Sequence, residues 1–204
     1  MNPDTVEALL FDMGGVVLEV DFDGIFDHLS KNNTPSASEI RQSFSMDDAY
    51  EQHEKGLITG AQYFSHLRKT LNLSSDDSLL IDSWNAIFGN EITAVLDAIE
   101  QLGDRYPCYA FTNTNAIHQA YWEKEFPRIR QCFDYMFVSS EMGLRKPDAE
   151  AFNFILNETS IKAESMLFFD DSYTNIEGAL NAGLQAVHVT SPQDVILALE
   201  ALPK

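Results

Sequence analysis

The sequence predicts an α/β fold: a doubly wound parallel sheet with a helical segment inserted behind its first strand. Three observations lead there. Short apolar runs recur along the chain, each closed by polar residues, as strands buried on both faces require. From Glu91 onward these runs alternate with stretches of helical periodicity. Between Glu19 and Gly89 helical periodicity stands alone.

The first run, Ala8 to Val17 (ALLFDMGGVV), breaks at Asp12, and the glycines after it leave the backbone free to bend toward a ligand. Beyond it, Ile25, Phe26 and Leu29 make one short apolar face, and Tyr63, Phe64, Leu67 and Leu71 a clearer one at three- and four-residue spacing. Ser36 with Glu39 and Thr59 with Gln62 fit the capping box, in which a hydroxyl and a long polar side chain satisfy free backbone donors at a helix start. Leu79, Leu80, Trp84, Ile87 and Phe88 predict a final helix, and no strand is expected in this segment. Residues 19–89 are therefore expected to form a helical cap domain, and residues 1–18 with 90–204 an α/β core domain.

In the core, Ile92, Val95, Leu96, Ile99 and Leu102 form a helical stripe that Gly103 stops. Strands are expected at Tyr109–Phe111, Tyr135–Val138, Met166–Phe169 and Ala186–Val189. Phe152, Ile155 and Leu156 mark a helix opening near Pro147-Asp148, and Ile176, Ala179 and Leu180 mark another. Ser191-Pro192 sets a serine at a cap and a proline at the first helical position of the last helix.

A chain of 204 residues suits one domain with a sizeable core, or a core plus a small insertion. Its formal charge of -19 repels polyanions, which argues against nucleic acid and anionic membranes as partners. Any anionic substrate must then be drawn in locally, by a metal ion or a focused lysine. The two cysteines are too few for a disulfide framework and read as reduced thiols in a cytoplasmic protein. No leader is expected, and no apolar stretch approaches the ~20 residues needed to cross a bilayer. The expected assembly is a monomer or homodimer.

The polar residues that close the strands carry the chemistry. Asp12, Thr112 with Asn113, and Asp170 with Asp171 all fall at the carboxyl edge of the predicted sheet, where doubly wound folds bind ligands. An Asp there can act as a nucleophile that forms a covalent aspartyl-phosphate. Adjacent acids near Asp12 repel one another unless a cation is present, and Mg²⁺ is held by one or two carboxylates together with water and phosphate oxygens. Lys146, in GLRKPD, can neutralise the oxygens of a transferring phosphoryl group, and Thr112 and Asn113 can donate to them. Read singly, each has a commoner explanation: Asp12 as a turn residue, Asp170-Asp171 as helix caps, Lys146 as a solvated surface lysine. Their convergence on one edge favours the site.

Together these segments resemble the haloacid-dehalogenase superfamily of hydrolases. FDMGG is similar to its first motif, FTNTN to the second, GLRKPD to the third and LFFDDSYTNIEGA to the fourth, in that order over nearly the whole chain. FDMGGVV with VDFD, YEQHEKG and GLRKPDAEAFNFIL further resemble the subgroup containing bacterial α-D-glucose-1-phosphate phosphatase. The resemblance implies a Rossmann-like core with a helical cap and Mg²⁺ as cofactor. It makes Asp12 nucleophile and metal ligand, Thr112 and Asn113 phosphate donors and Lys146 the charge clamp. Asp170 becomes a direct metal ligand with Asp171 beside it, and Asn175 a supporting residue.

The chain departs from that pattern at Gly14, where the superfamily's phosphatases usually carry a second Asp as general acid and base. Glycine keeps a backbone carbonyl for the metal but moves no proton, and losing such a group costs roughly 10²–10⁴-fold in rate. A sugar-1-phosphate, which leaves as a comparatively acidic anomeric hydroxyl, needs that help least. Asp21, Asp23, His53 and Glu54 are candidate substitutes; His53 has the ordinary alternative of a solvated helix residue. The expected function is a Mg²⁺-dependent phosphatase of a small phosphorylated metabolite, a sugar phosphate such as a sugar-1-phosphate. The alternatives are a metal-independent hydrolytic dehalogenase and a sugar-phosphate-binding protein with an impaired site.

Overall fold

The computed structural model describes residues 1–203. The chain enters through β1 (Ala8–Phe11) and turns into β2 (Leu18–Val20). Five helices follow: α1 (Phe22–Ser30), α2 (Ala37–Ser43), α3 (Asp48–Glu54), α4 (Gly60–Leu71) and α5 (Asp77–Asn85). After β3 (Phe88–Glu91) and α6 (Thr93–Leu102) come β4 (Cys108–Thr112), α7 (Ala116–Glu125), α8 (Pro127–Gln131), β5 (Tyr135–Val138) and α9 (Ser139–Met142). The last elements are α10 (Ala149–Thr159), β6 (Met166–Asp170), α11 (Tyr173–Asn181), β7 (Gln185–His188) and α12 (Pro192–Glu200).

Five strands make one parallel sheet in the order β5-β4-β1-β6-β7, so β1 is its middle strand. Alternate side chains serve opposite faces. Leu9, Phe11, Leu167 and Phe169 pack on one side with Val95, Leu96 and Ile99 of α6 and Val195 of α12. Ala8, Leu10, Phe111 and Phe168 pack on the other with Phe152 and Ile155 of α10 and Ile176 of α11. Both faces being covered, the strands read in sequence as unbroken apolar runs. The predicted strands are found within a residue or so of their expected ends.

The helices between β2 and β3 have their own core, in which Ile25, Phe26, Tyr63, Phe64, Leu67 and Trp84 meet. Both expected capping boxes form, at Ser36 with Glu39 and at Thr59 with Gln62. Two expectations are corrected. The segment is not free of strands: β2 and β3 pair antiparallel where the chain leaves and rejoins the sheet. Phe88, Gly89, Asn90 and Glu91 carry no strand pattern, so this pairing comes from tertiary placement and not from local propensity. The final helix of the segment stops at Asn85, leaving Ile87 in the connection and Phe88 in β3. Ile176, Ala179 and Leu180 lie on α11 as expected, the first two buried and Leu180 54% exposed. Among the described residues no helix is long and apolar enough to cross a membrane.

Candidate functional site

Strand order builds the site. With β1 between β4 and β6, and neighbouring strands about 4.8 Å apart, their carboxyl ends bring three polar positions together. Thr112 is the last residue of β4, Asp12 follows β1, and Asp170 is the last residue of β6. The backbone of Asp12 is itself tied in, its N–H donating to the Phe169 carbonyl at 2.8 Å. One carboxylate oxygen from each of Asp12, Asp170 and Asp171 lies within 4.8 Å of the other two. Gly15, at φ +71°, crosses directly over the third acid: a β carbon there would sit 2.3 Å from Asp171 Oδ2. Only glycine fits that crossing.

Lys146 reaches the acids from the loop before α10. Its side chain is only 1% exposed, and Nζ lies 5.2 Å and 5.6 Å from the ring centres of Phe111 and Phe168. Nζ donates to Asp12 Oδ1 at 2.7 Å and to Asp170 Oδ2 at 2.8 Å. Lys146 is thus a buried charge and not a solvated one. Asn113 fixes where it starts: its Nδ2 donates to the Lys146 carbonyl and its Oδ1 accepts from the Lys146 N–H, both at 2.9 Å. The carboxamide expected to donate to a ligand is therefore committed to the lysine backbone, with one amide hydrogen left. Asp170 is held as firmly. Its Oδ1 accepts from the Ser172 N–H at 2.8 Å, and Asn175 Nδ2 lies 3.0 Å and 3.1 Å from its two oxygens.

The electrostatics of this cluster are unbalanced. Burial, and after it the neighbouring Asp170, push the Asp12 carboxyl up to about 8 against the pull of the Lys146 ammonium. Burial also works against the charge on Lys146, but Asp12 and Asp170 outweigh it and hold the ammonium above its ordinary range. Asp171 is raised as well, by burial first and then by Asp170. Three carboxylates around one ammonium leave an excess of negative charge. Oxygen-only donors at this spacing, with Asp171 on the open side, fit a hard divalent cation such as Mg²⁺.

A cavity of about 120 Å³ opens beside the cluster, lined by Asp12, Gly14, Thr112, Asn113, Lys146 and Asn175 together with apolar Met13, Val20 and Phe88. Thr112 is 3% exposed, and among the described residues its hydroxyl has no partner. Gly14 has room for more: a β carbon there would meet only Val20 methyls, at 3.4 Å.

None of the candidate substitute acids lines this cavity. His53 is buried, stacked on Tyr63 at 4.5 Å, and lines a separate cavity with Gly60 and Ser140. It is therefore not solvated, and it is not among the residues that line the cavity beside Asp12. Burial also lowers it to about 4. Glu54 is buried in an ion pair with Arg145, with Nε and Nη2 at 2.9 Å and 2.8 Å. That pair joins α3 to the loop carrying Lys146. Asp21 caps α1, and Asp23 pairs with Arg41 at 2.6 Å.

The histidine that does line the cavity is His118, on α7, which sequence reasoning missed. The only signal was its place in the first turn of the helix after Asn113.

A family model for haloacid dehalogenase-like hydrolases matches residues 6–183. The chain is 21% identical over 185 residues to D-ribitol-5-phosphate phosphatase of Bacteroides thetaiotaomicron, covering 88% of this chain and 90% of that protein. It is 26% identical over 209 residues to the sesquiterpene phosphatase astK of Aspergillus oryzae, covering 97% of both. The HAD family enzyme bt-2542 of Bacteroides thetaiotaomicron, in complex with magnesium and inorganic phosphate, superposes with a TM-score of 0.79. That pair is 28% identical, with 89% of this chain and 92% of the other covered.

Proposed function

The chain belongs to the haloacid dehalogenase-like hydrolases, and from that membership we propose that it is a Mg²⁺-dependent phosphatase of a small phosphorylated metabolite. One observation carries the reading: Asp12, Asp170 and Asp171 converge on a buried ammonium at the mouth of a small cavity. The neighbour that binds magnesium and inorganic phosphate, and the relatives named as phosphatases, support it.

Asp12 is the nucleophile. Its Oδ1 is occupied by Lys146 Nζ and by the Met13 N–H at 2.7 Å, which leaves Oδ2 to attack phosphorus. The P–O bond to the alcohol breaks, the alcohol leaves, and Asp12 carries the phosphoryl group as an acyl phosphate. Water then attacks phosphorus, releasing inorganic phosphate and the carboxylate. Lys146 faces the phosphoryl oxygens with a fixed positive charge, and the Thr112 hydroxyl donates to one of them. Asn113 and Asn175 hold Lys146 and Asp170 in place. Asp12, Asp170, Asp171 and the Gly14 carbonyl would hold Mg²⁺, which supplies further neutralisation of charge on the phosphate.

With Gly14 at the position of the usual proton donor, the departing alcohol takes its proton from water. That favours an acidic leaving group, and we assign the substrate to the sugar-1-phosphates. Phosphate release with Mg²⁺ tests both levels. Wild type is expected to turn over glucose 1-phosphate faster than glucose 6-phosphate, with activity abolished by EDTA and lowered at least ~10³-fold in Asp12→Asn. Activity that survives Asp12→Asn would overturn the mechanism; a reversed order of substrates would overturn only the sugar-1-phosphate assignment.

A further inference from the structure

We propose that His118 recognises a hydroxyl group on the carbon skeleton of the substrate, making it a specificity residue for polyhydroxylated phosphate esters; this rests on the phosphatase reading above. The ring is fixed on every side. Asn115 Oδ1 accepts from the N–H groups of Ile117 and His118, both at 3.1 Å, which sets the first turn of α7. Trp84 stacks on the imidazole at 5.4 Å and Phe88 meets it edge-on at 5.1 Å. Its Nε2 lies 3.1 Å from the Trp84 carbonyl. A carbonyl cannot donate, so Nε2 carries the hydrogen and Nδ1 carries the lone pair. Burial keeps the ring neutral and so preserves that lone pair.

Among the described residues Nδ1 has no partner, and it is not one of the buried polar atoms left without one, so it opens to solvent from a residue that lines the cavity. Its chemistry selects its partner. A phosphate oxygen offers only lone pairs and cannot bond to it, whereas a hydroxyl can. The Trp84 and Phe88 rings packed on the imidazole offer no competing side-chain acceptor. His118 therefore reads the alcohol portion of the ester, while Lys146 and Thr112 take the phosphate. Because the carbonyl that orients the ring belongs to α5, the acceptor is aimed only while the helical segment is seated on the sheet.

The test uses the Mg²⁺-loaded enzyme and two primary phosphate esters of equal chain length, D-ribitol 5-phosphate and n-pentyl phosphate. Wild type is expected to favour the polyol ester by about tenfold or more in kcat/KM, because pentyl phosphate leaves a desolvated acceptor unpaired. His118→Leu should bring the ratio to within about threefold, the rate on the polyol ester falling by more than the rate on pentyl phosphate. An unaltered ratio, or an equal fall on both esters, overturns the proposal; the second result would mark the histidine as structural only. A readout on unmutated protein stands beside it: the ¹⁵N resonance of His118 Nδ1 should move on adding ribitol 5-phosphate and stay put with pentyl phosphate. If both esters or neither move it, the proposal fails. Should wild type hydrolyse neither ester, the phosphatase reading is in question while the resonance still reports whether the histidine takes a hydroxyl.

Discussion

In the proposed mechanism, position 14 sets how much help the leaving group receives. A β carbon there meets only the Val20 methyls at 3.4 Å, so an acid can be installed beside Asp12 with a small adjustment. Gly14→Asp is expected to raise kcat on glucose 6-phosphate about tenfold or more, and to change glucose 1-phosphate less, since general acid catalysis matters most for the poorer leaving group. Equal gains on both, measured by phosphate release, would disconnect Gly14 from proton transfer. His53 carries a different expectation. It titrates at about 4 in the folded chain and near 6.5 when unfolded, so between those values only the unfolded chain binds the proton. Stability is therefore lost as pH falls through that window and is unaffected above it. At pH 5 the loss is about 2 kcal/mol. Denaturant titrations of wild type and His53→Phe should show it as a difference that grows from pH 7 to pH 5; a difference independent of pH would exclude a neutral buried imidazole.

Among the elements, α11 and the Lys146 loop are packed backbone to backbone. A β carbon on Gly178 would stand 2.4 Å from the Pro147 carbonyl oxygen. Alanine in place of a helical glycine ordinarily stabilises by about 1 kcal/mol. Here the collision should reverse the sign, because overpacking costs about 1–3 kcal/mol. It should also move Lys146: Gly178→Ala is expected to lower both Tm and kcat, the latter about tenfold or more. A higher Tm with unchanged kcat would show that the loop yields freely. Most elements were legible in the sequence because their signals are local. Parallel strands read as apolar runs, Ser36 and Thr59 announced their helices, and strand ends placed Asp12, Thr112, Asp170 and Asp171 on one edge. The rest depends on contacts between distant segments. The pairing of β2 with β3, the union of Arg145 with Glu54, the engagement of Asn113 with Lys146 and the approach of His118 to Trp84 leave no mark on residue spacing. Lys146 lies between, because GLRKPD pointed to it while nothing local told a buried lysine from a solvated one.

At the scale of the whole molecule, the formal charge of -19 surrounds a site whose ammonium is fully buried, so the attraction that seats an anion acts only at short range. The site also has a definite place in the sheet. Asp12 follows the middle strand, with a parallel neighbour on each side and its own N–H held by Phe169. Core strands of this kind open only when everything opens. In hydrogen–deuterium exchange the Asp12 amide should therefore be among the slowest in the chain, exchanging at the rate set by global unfolding, while amides of α2 and α3 exchange earlier. A fast Asp12 amide would mean that the loop after β1 frays independently. The proposed nucleophile is thus rooted in the last part of the protein to come apart, and heat or denaturant should extinguish activity only together with the fold itself.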